Sequence, residues 1–280
     1  MATKRLAGQR ALVTGASSGI GAWLARVLAE QGANLVITAR RKDRLEALAS
    51  EIKAKHGVDV RVEDADLSRP GAAEGLFQRT EGAGVAIDVL VNNAGFGSYQ
   101  KFVDTPWERL QEIIQVNAVT LTHLTRLFTP AMIERRHGHV MNVASIGAFI
   151  PTPYFGVYTA TKAYVRDMTE ALDFELAGTG VRACVVCPGG TATEFLDAAD
   201  QKLKGGGEKY LMPAETCARI AVKKMLKGRR TIITGFMNAL SMWALRFVPR
   251  AWLPRISTMG MSAAVEPPQS PPKALPGPQA

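Results

Sequence analysis

The feature that most restricts the fold of this chain is an apolar run that breaks on glycines and leads directly into a helical pattern. Residues 11–15 read ALVTG, and the turn continues as TGASSGIG with glycines at Gly15, Gly19 and Gly21. Ile20, Leu24, Val27 and Leu28 then recur at helical spacing until Gly32. Glycine lets a backbone turn sharply and lets a ligand approach closely. A helix start offers unpaired N–H groups and a partial positive charge, which suit a pyrophosphate. A glycine motif by itself is weak, and a plain glycine-rich connector is the alternative. Its position after a strand and at the head of a helix is the context dinucleotide binding requires.

The rest of the chain repeats the alternation. Strand-like runs fall at 34–38, 58–67, 86–95, 139–145 and 181–189, with a further candidate at 230–234, and helical stretches lie near 44–55, 106–117, 118–136 and 156–177. Strand alternating with helix predicts an α/β fold, a Rossmann-type doubly wound parallel sheet of about seven strands with helices on both faces. We divide the chain into a dinucleotide-binding catalytic domain over 1–235, a basic apolar extension over 236–261 and a proline-rich tail over 262–280. The tail holds six of the fifteen prolines and reads as disordered; a proline-rich docking peptide is its alternative.

Composition narrows the class. A chain of 280 residues, 47% hydrophobic and 21% charged, is neither wholly disordered nor collagen-like. Three cysteines are too few for a disulfide framework and fit a reducing compartment, so a cytoplasmic location is expected. No run of 18 uncharged apolar residues is present, and MATKRLAGQR does not read as a signal peptide. The net charge of +9 is local: nine Lys and Arg and no acid lie between Cys217 and Val265. A basic stretch confined to one end, with no recognisable module, argues against nucleic acid.

Two places carry chemistry beyond the glycines. The second strand ends in TARR, with Arg40 where an acid would favour NAD, and a guanidinium there suits the 2′-phosphate of NADP. A solvated basic helix start is the alternative, more so for Arg41. YTATK puts Tyr158 and Lys162 one helical turn apart, so that an ammonium beside a phenol is expected to lower the tyrosine pKa. Ser145 lies thirteen residues earlier at a strand end, the edge at which open α/β sheets bind ligands.

With these residues together, the sequence resembles the short-chain dehydrogenase/reductase family in its single-domain form of roughly 250 residues. TGASSGIG matches the TGxxxGxG motif, Asp66-Leu67 the adenine-contacting pair, NNAG at 92–95 the fourth-strand motif and PGGTAT at 188–193 the PGxxxT motif. Asn117, Ser145, Tyr158 and Lys162 match the catalytic tetrad. The resemblance covers about residues 6–235. It implies that Tyr158 exchanges a proton with the carbonyl oxygen, that Ser145 holds that oxygen, and that Lys162 binds nicotinamide ribose. Asn117 would act through its backbone on a water linked to Lys162. It also implies that Ser17, Ser18, Gly19, Ile20 and Gly21, with Gly15, contact phosphate and ribose. Asn93 would approach the riboses, and Thr193 the carboxamide and phosphates. A homodimer or homotetramer through the helices near 106–136 and 156–177 is implied as well.

Other residues read as ordinary. Cys184 and Cys187, three apart in a strand, point to opposite faces, and the four histidines show no ligand pattern, so no metal is expected. Phe96, Phe149, Ile150, Tyr154 and Phe155 flank the motifs and either line an apolar pocket or pack the core. The loop from Thr191 to Met212, with KGGGEK, reads equally as a lid or a surface loop. In 236–256, Phe236, Leu240, Trp243 and Phe247 recur at helical spacing. That segment covers the cleft, joins another subunit or lies on a membrane surface as a peripheral contact. The expected function is an NADP(H)-dependent oxidoreductase of a carbonyl/secondary-alcohol pair in lipid metabolism, reducing a lipid-like, steroid-like or aromatic ketone or aldehyde. A non-catalytic NADP(H)-binding sensor or interaction module on the same fold is the alternative.

Overall fold

A computed structural model of the chain describes residues 4–268. Seven strands form one sheet in the order β3-β2-β1-β4-β5-β6-β9, with every pair parallel. They are β1 (Arg10–Thr14), β2 (Asn34–Ala39), β3 (Val60–Asp64), β4 (Val89–Asn92), β5 (Gly138–Val143), β6 (Val181–Cys187) and β9 (Thr231–Ile233). A minor pair, β7 (Thr191–Ala192) and β8 (Met212–Pro213), lies outside that sheet. The fold is the doubly wound α/β arrangement expected from the alternation.

Parallel strands buried on both faces need apolar residues at both parities. Val13, Ile37, Val91, Met141 and Cys184 face one layer, packed on α1 (Gly19–Glu30), α2 (Lys42–His56) and α8 (Ala214–Met225). Leu12, Val36, Leu90, Val140 and Ala183 face the other. There they meet α3 (Ala72–Arg79) and α5 (Leu121–Glu134), while Val185 and Cys187 meet α6 (Gly156–Glu175). The helix α4 (Trp107–Ile114) precedes a π-helical stretch, Gln115–Thr120, that runs into α5. Cys184 and Cys187 therefore do serve opposite faces, and burial pushes both thiols up to about 12.

Two polar networks fix the helix that carries Tyr158. Asn92 Nδ2 donates to Asn142 Oδ1 (2.9 Å) and Thr125 Oγ1 (3.0 Å), and Asn142 Nδ2 donates to Thr169 Oγ1 (2.9 Å). Buried amides joined in this way hold β4, β5, α5 and α6 in one register. At the far end of α6, the buried Asp173 accepts from Arg182 (2.9 Å), Arg230 (2.8 Å) and the backbone N–H of Ala183 (3.0 Å).

The short helix α7 (Phe195–Ala198) follows β7, and α9 (Phe236–Ala244) and α10 (Leu253–Ala264) follow β9. No described helix is long and apolar enough to cross a membrane. The segment read as tail begins inside α10: residues 262–264 complete that helix, and Val265 is buried and bridged to Leu203. Composition missed this because one buried valine suffices to anchor a helix end. Residues 269–280, the rest of that segment, lie outside the described residues.

Candidate active site

The strand order reverses between β1 and β4, and a cleft of about 350 Å³ opens there. Gly15, Ser17, Ser18, Gly19, Ile20, Gly21, Arg40, Asp66, Leu67, Asn93 and Thr193 all line it. A side chain at Gly21 would place its Cβ 2.2 Å from the Gly15 carbonyl oxygen, so only glycine lets α1 begin so close to β1. Gly15 takes φ +66°, and a Cβ there would meet the Ala94 backbone at 2.9 Å. The first N–H groups of α1 point into this opening with no intrahelical partner. Size, glycine cradle and helix start fit a dinucleotide.

Asn93 lines the cleft but its amide is already used. Nδ2 donates to the Thr14 carbonyl (3.0 Å) and the Gly15 carbonyl (3.3 Å), so it staples the glycine turn to β4. Burial raises the Asp66 carboxyl, yet hydrogen bonds from Ser68 and the nearness of Arg40 bring it below the usual range.

The two arginines after β2 stand in different surroundings. Arg40 is exposed at the cleft wall. Arg41 is tied in: Nη2 donates to Ser17 Oγ (3.1 Å) and Ser18 Oγ (2.8 Å). Its Nη1 lies 2.7 Å from Glu194, whose other oxygen meets Arg44. Glu194 was not anticipated. Its contact spans some 150 residues of chain, and no local motif announces it.

The tetrad residues gather beside this cleft. Tyr158 and Lys162 share a face of α6, as their spacing requires. Lys162 Nζ donates to the Val143 carbonyl (2.8 Å) and sits 5.6 Å from the Tyr158 ring centre. Ser145 follows β5 in extended backbone and its Oγ accepts from Gly147 N–H (3.0 Å). Asn117 lies in the π-helical stretch, fully buried. Its amide donates to the Phe96 carbonyl (2.9 Å) and Thr161 Oγ1 (3.1 Å), and its Oδ1 accepts from Phe96 N–H (3.1 Å). Local widening of a helix is a common device where a side chain must be aimed.

The electrostatics run opposite to the expectation for Tyr158. Burial pushes the phenol up to about 12, against a lowering hydrogen bond from Ser145. Burial also brings Lys162 down to about 8. Desolvation disfavours both charged forms.

That burial has a specific source. Tyr158 is 7% exposed. Phe155 stacks on it (4.3 Å between ring centres) and Phe195 tilts against it (5.3 Å). Tyr99, Leu203, Met261 and Val265 complete the apolar shell. Of the aromatics singled out in the sequence, Phe155 and Tyr154 join this group, whereas Phe96 lies under Arg109 and Phe149 under Arg166. The 191–212 segment is tied down at three points: Ala199 O accepts from Tyr99 N–H (2.8 Å), Lys204 N–H donates to Ala264 O (3.0 Å), and Lys202 O accepts from Glu266 N–H (2.8 Å). The C-terminal segment thus covers Tyr158 through α10, later in the chain than the stretch at 236–256.

Comparison with known proteins agrees with this geometry. The family model described as short chain dehydrogenase matches residues 9–204. A 7β-hydroxysteroid dehydrogenase of Collinsella aerofaciens is 36% identical over 236 residues, covering 82% of this chain and 88% of that protein. A solved structure from work on 7β-hydroxysteroid dehydrogenase stereoselectivity superposes with a TM-score of 0.83 at 32% identity, over 92% of this chain and all of the other. A short-chain dehydrogenase from Sphingobium yanoikuyae, solved with NADPH, gives 0.79 at 30% identity, over 90% and 95% of the two chains. A match over most of the catalytic sheet, joined to a glycine cradle and a Ser-Tyr-Lys group at the switch point, places this chain in the short-chain dehydrogenase family, as a single-domain oxidoreductase of the alcohol/carbonyl couple that uses a nicotinamide cofactor.

Proposed function

We propose that this chain is an NADP(H)-dependent reductase of apolar ketones or aldehydes, lipid-like, steroid-like or aromatic. The observation that carries the cofactor choice is the end of β2, where Arg40 and Arg41 stand at the cleft and no acid takes the first positions after the strand. Two guanidinium groups complement a 2′-phosphate, and Arg41 is pre-positioned on the serines of the glycine turn. The apolar shell of Tyr99, Phe155 and Phe195 supports an apolar substrate.

When bound, the nicotinamide supplies the hydride. Tyr158 Oη gives its proton to the carbonyl oxygen, and Ser145 Oγ donates a hydrogen bond to that oxygen as charge develops. Lys162 holds its ammonium behind the phenol, where it would bind the nicotinamide ribose, and Asn117 keeps the loop at Phe96 in place. Tyr158 keeps its proton at neutral pH, as a donor must, and reduction is the direction favoured where NADPH supplies the reductant. The aromatic shell excludes water from the reacting atoms.

Part of the same proposal is a homodimer or homotetramer, supported by exposed Ile133, Tyr164 and Phe174 on α5 and α6, and a cytoplasmic location. The test is a panel of ketones and aldehydes followed by NADPH absorbance, with NADH in parallel. Turnover of bulky apolar carbonyls with NADPH favoured is the expected result. NADPH binding without turnover of any carbonyl would support the sensor alternative instead.

A further inference from the structure

We infer that α9 and the turn after it form a docking surface for an anionic phospholipid bilayer. This reading goes beyond the catalytic proposal and does not depend on it. Phe236, Leu240, Trp243 and Phe247 fall three or four residues apart, so they share one side of α9 and the turn that extends it. All four are solvent-exposed, Phe236 at 80% and Phe247 at 72%. Trp243 and Phe247 meet edge to face at 5.1 Å, which makes them one apolar unit. Trp252 and Met259, in the following turn and α10, are exposed as well.

A stripe of this size left in water marks an interaction site. Its charge identifies the occupant. Arg246, Arg250 and Arg255 are exposed around it. Two arginines earlier in the basic stretch are neutralised, Arg219 by Glu30 and Glu215, and Arg230 by Asp173. Arg246, Arg250 and Arg255 form no ion pair among the described residues. The sequence from Cys217 to Val265 holds no acid. A second copy of the same surface would bring arginine against arginine, which disfavours a self-complementary contact. Apolar side chains with tryptophan, edged by arginine and free of acid, match the interface of an anionic bilayer, where the rings enter the acyl boundary and the arginines meet phosphates. The segment is too short to span. It is also continuous with α10, whose Met261 and Ala264 pack on the Tyr158 group, so a docked molecule holds its substrate cover close to the lipid.

The test is flotation of the full chain with vesicles of phosphatidylcholine alone and of phosphatidylcholine with phosphatidylglycerol, at physiological salt, with tryptophan emission recorded. Binding to the anionic vesicles only, with a blue shift and release at high salt, is expected. Neutralising arginines one at a time (Arg246→Gln, Arg250→Gln) should weaken binding about fivefold each. Trp243→Ser with Phe247→Ser should weaken it by more than about tenfold while NADPH binding is kept. If the double variant does not fold, the arginine variants and the salt dependence decide. No flotation, equal flotation on neutral vesicles, or a dimer that dissociates in the arginine or Phe247→Ser variants would overturn the inference. Tyr158→Phe should float like the wild type, so loss of activity and loss of docking read out separately.

Discussion

The dinucleotide cleft and the enclosure of Tyr158 are neighbours built by different means. The cleft is made by backbone: a turn that tolerates only glycine, a helix start, and strand ends at a switch point. The enclosure is made by side chains from four distant parts of the chain, Tyr99, Phe155, Phe195 and Val265. Backbone geometry presents fixed donors to phosphate, whereas an apolar enclosure acts on charge, pushing Tyr158 up and Lys162 down. A rigid polar cradle for a dinucleotide thus stands beside a desolvated apolar cluster around Tyr158.

The largest effect expected from breaking the cleft is at Gly21. Gly21→Ala forces a Cβ onto the Gly15 carbonyl. It should weaken NADPH binding about a hundredfold and cost about 2 kcal/mol of stability. Fluorescence titration and thermal unfolding check both.

On the enclosure side, Lys162 offers a pH signature. Its folded pKa is about 8 against an ordinary value of 10.5, so between those values the unfolded chain binds more protons and stability rises with pH. Relative to Lys162→Met, the wild type should gain about 2 kcal/mol from pH 7 to about 10. Thermal unfolding of both proteins across that window measures it. A flat difference would mean that Lys162 is not desolvated.

Between the two arginines, the geometry ranks Arg41 above Arg40. Arg41→Gln should lower the NADPH over NADH preference about twentyfold and Arg40→Gln about fivefold, the latter being the more exposed. The ratio of kcat/KM for the two cofactors decides, and the reverse order would restore the reading from sequence. The smallest effect is at the outer wall. Val265→Ala should change KM for a bulky ketone about threefold with NADPH affinity unaltered, since Val265 packs near Tyr158 and outside the cleft.

The same contrast explains what was legible in the sequence. The glycines, Asp66-Leu67, Asn93 and the Tyr158-Lys162 spacing lie in short local patterns, because each serves a backbone turn or a single helix face. The sheet followed from strand–helix alternation. The contacts of Arg41 are not legible in the sequence because Ser17, Ser18 and Glu194 meet it only in three dimensions. The direction of the Tyr158 shift was missed for a related reason. Local spacing reveals the ammonium nearby but hides the apolar shell that Phe195 and Val265 bring from later in the chain. The end of α10 was assigned to the tail because proline content dominates that composition, while one packed valine sets the boundary.

The most direct test of the central claim, that a protonated Tyr158 in an apolar enclosure gives its proton to a carbonyl beside the cleft, is ketone reduction by Tyr158→Phe across pH. The account predicts that the variant binds NADPH within about threefold of the wild type and loses about a thousandfold or more in kcat, with wild-type reduction flat from pH 6 to about 7 and declining only as Lys162 loses its proton near pH 8. Reduction retained by the variant, or a wild-type rate that falls through neutral pH, would contradict it.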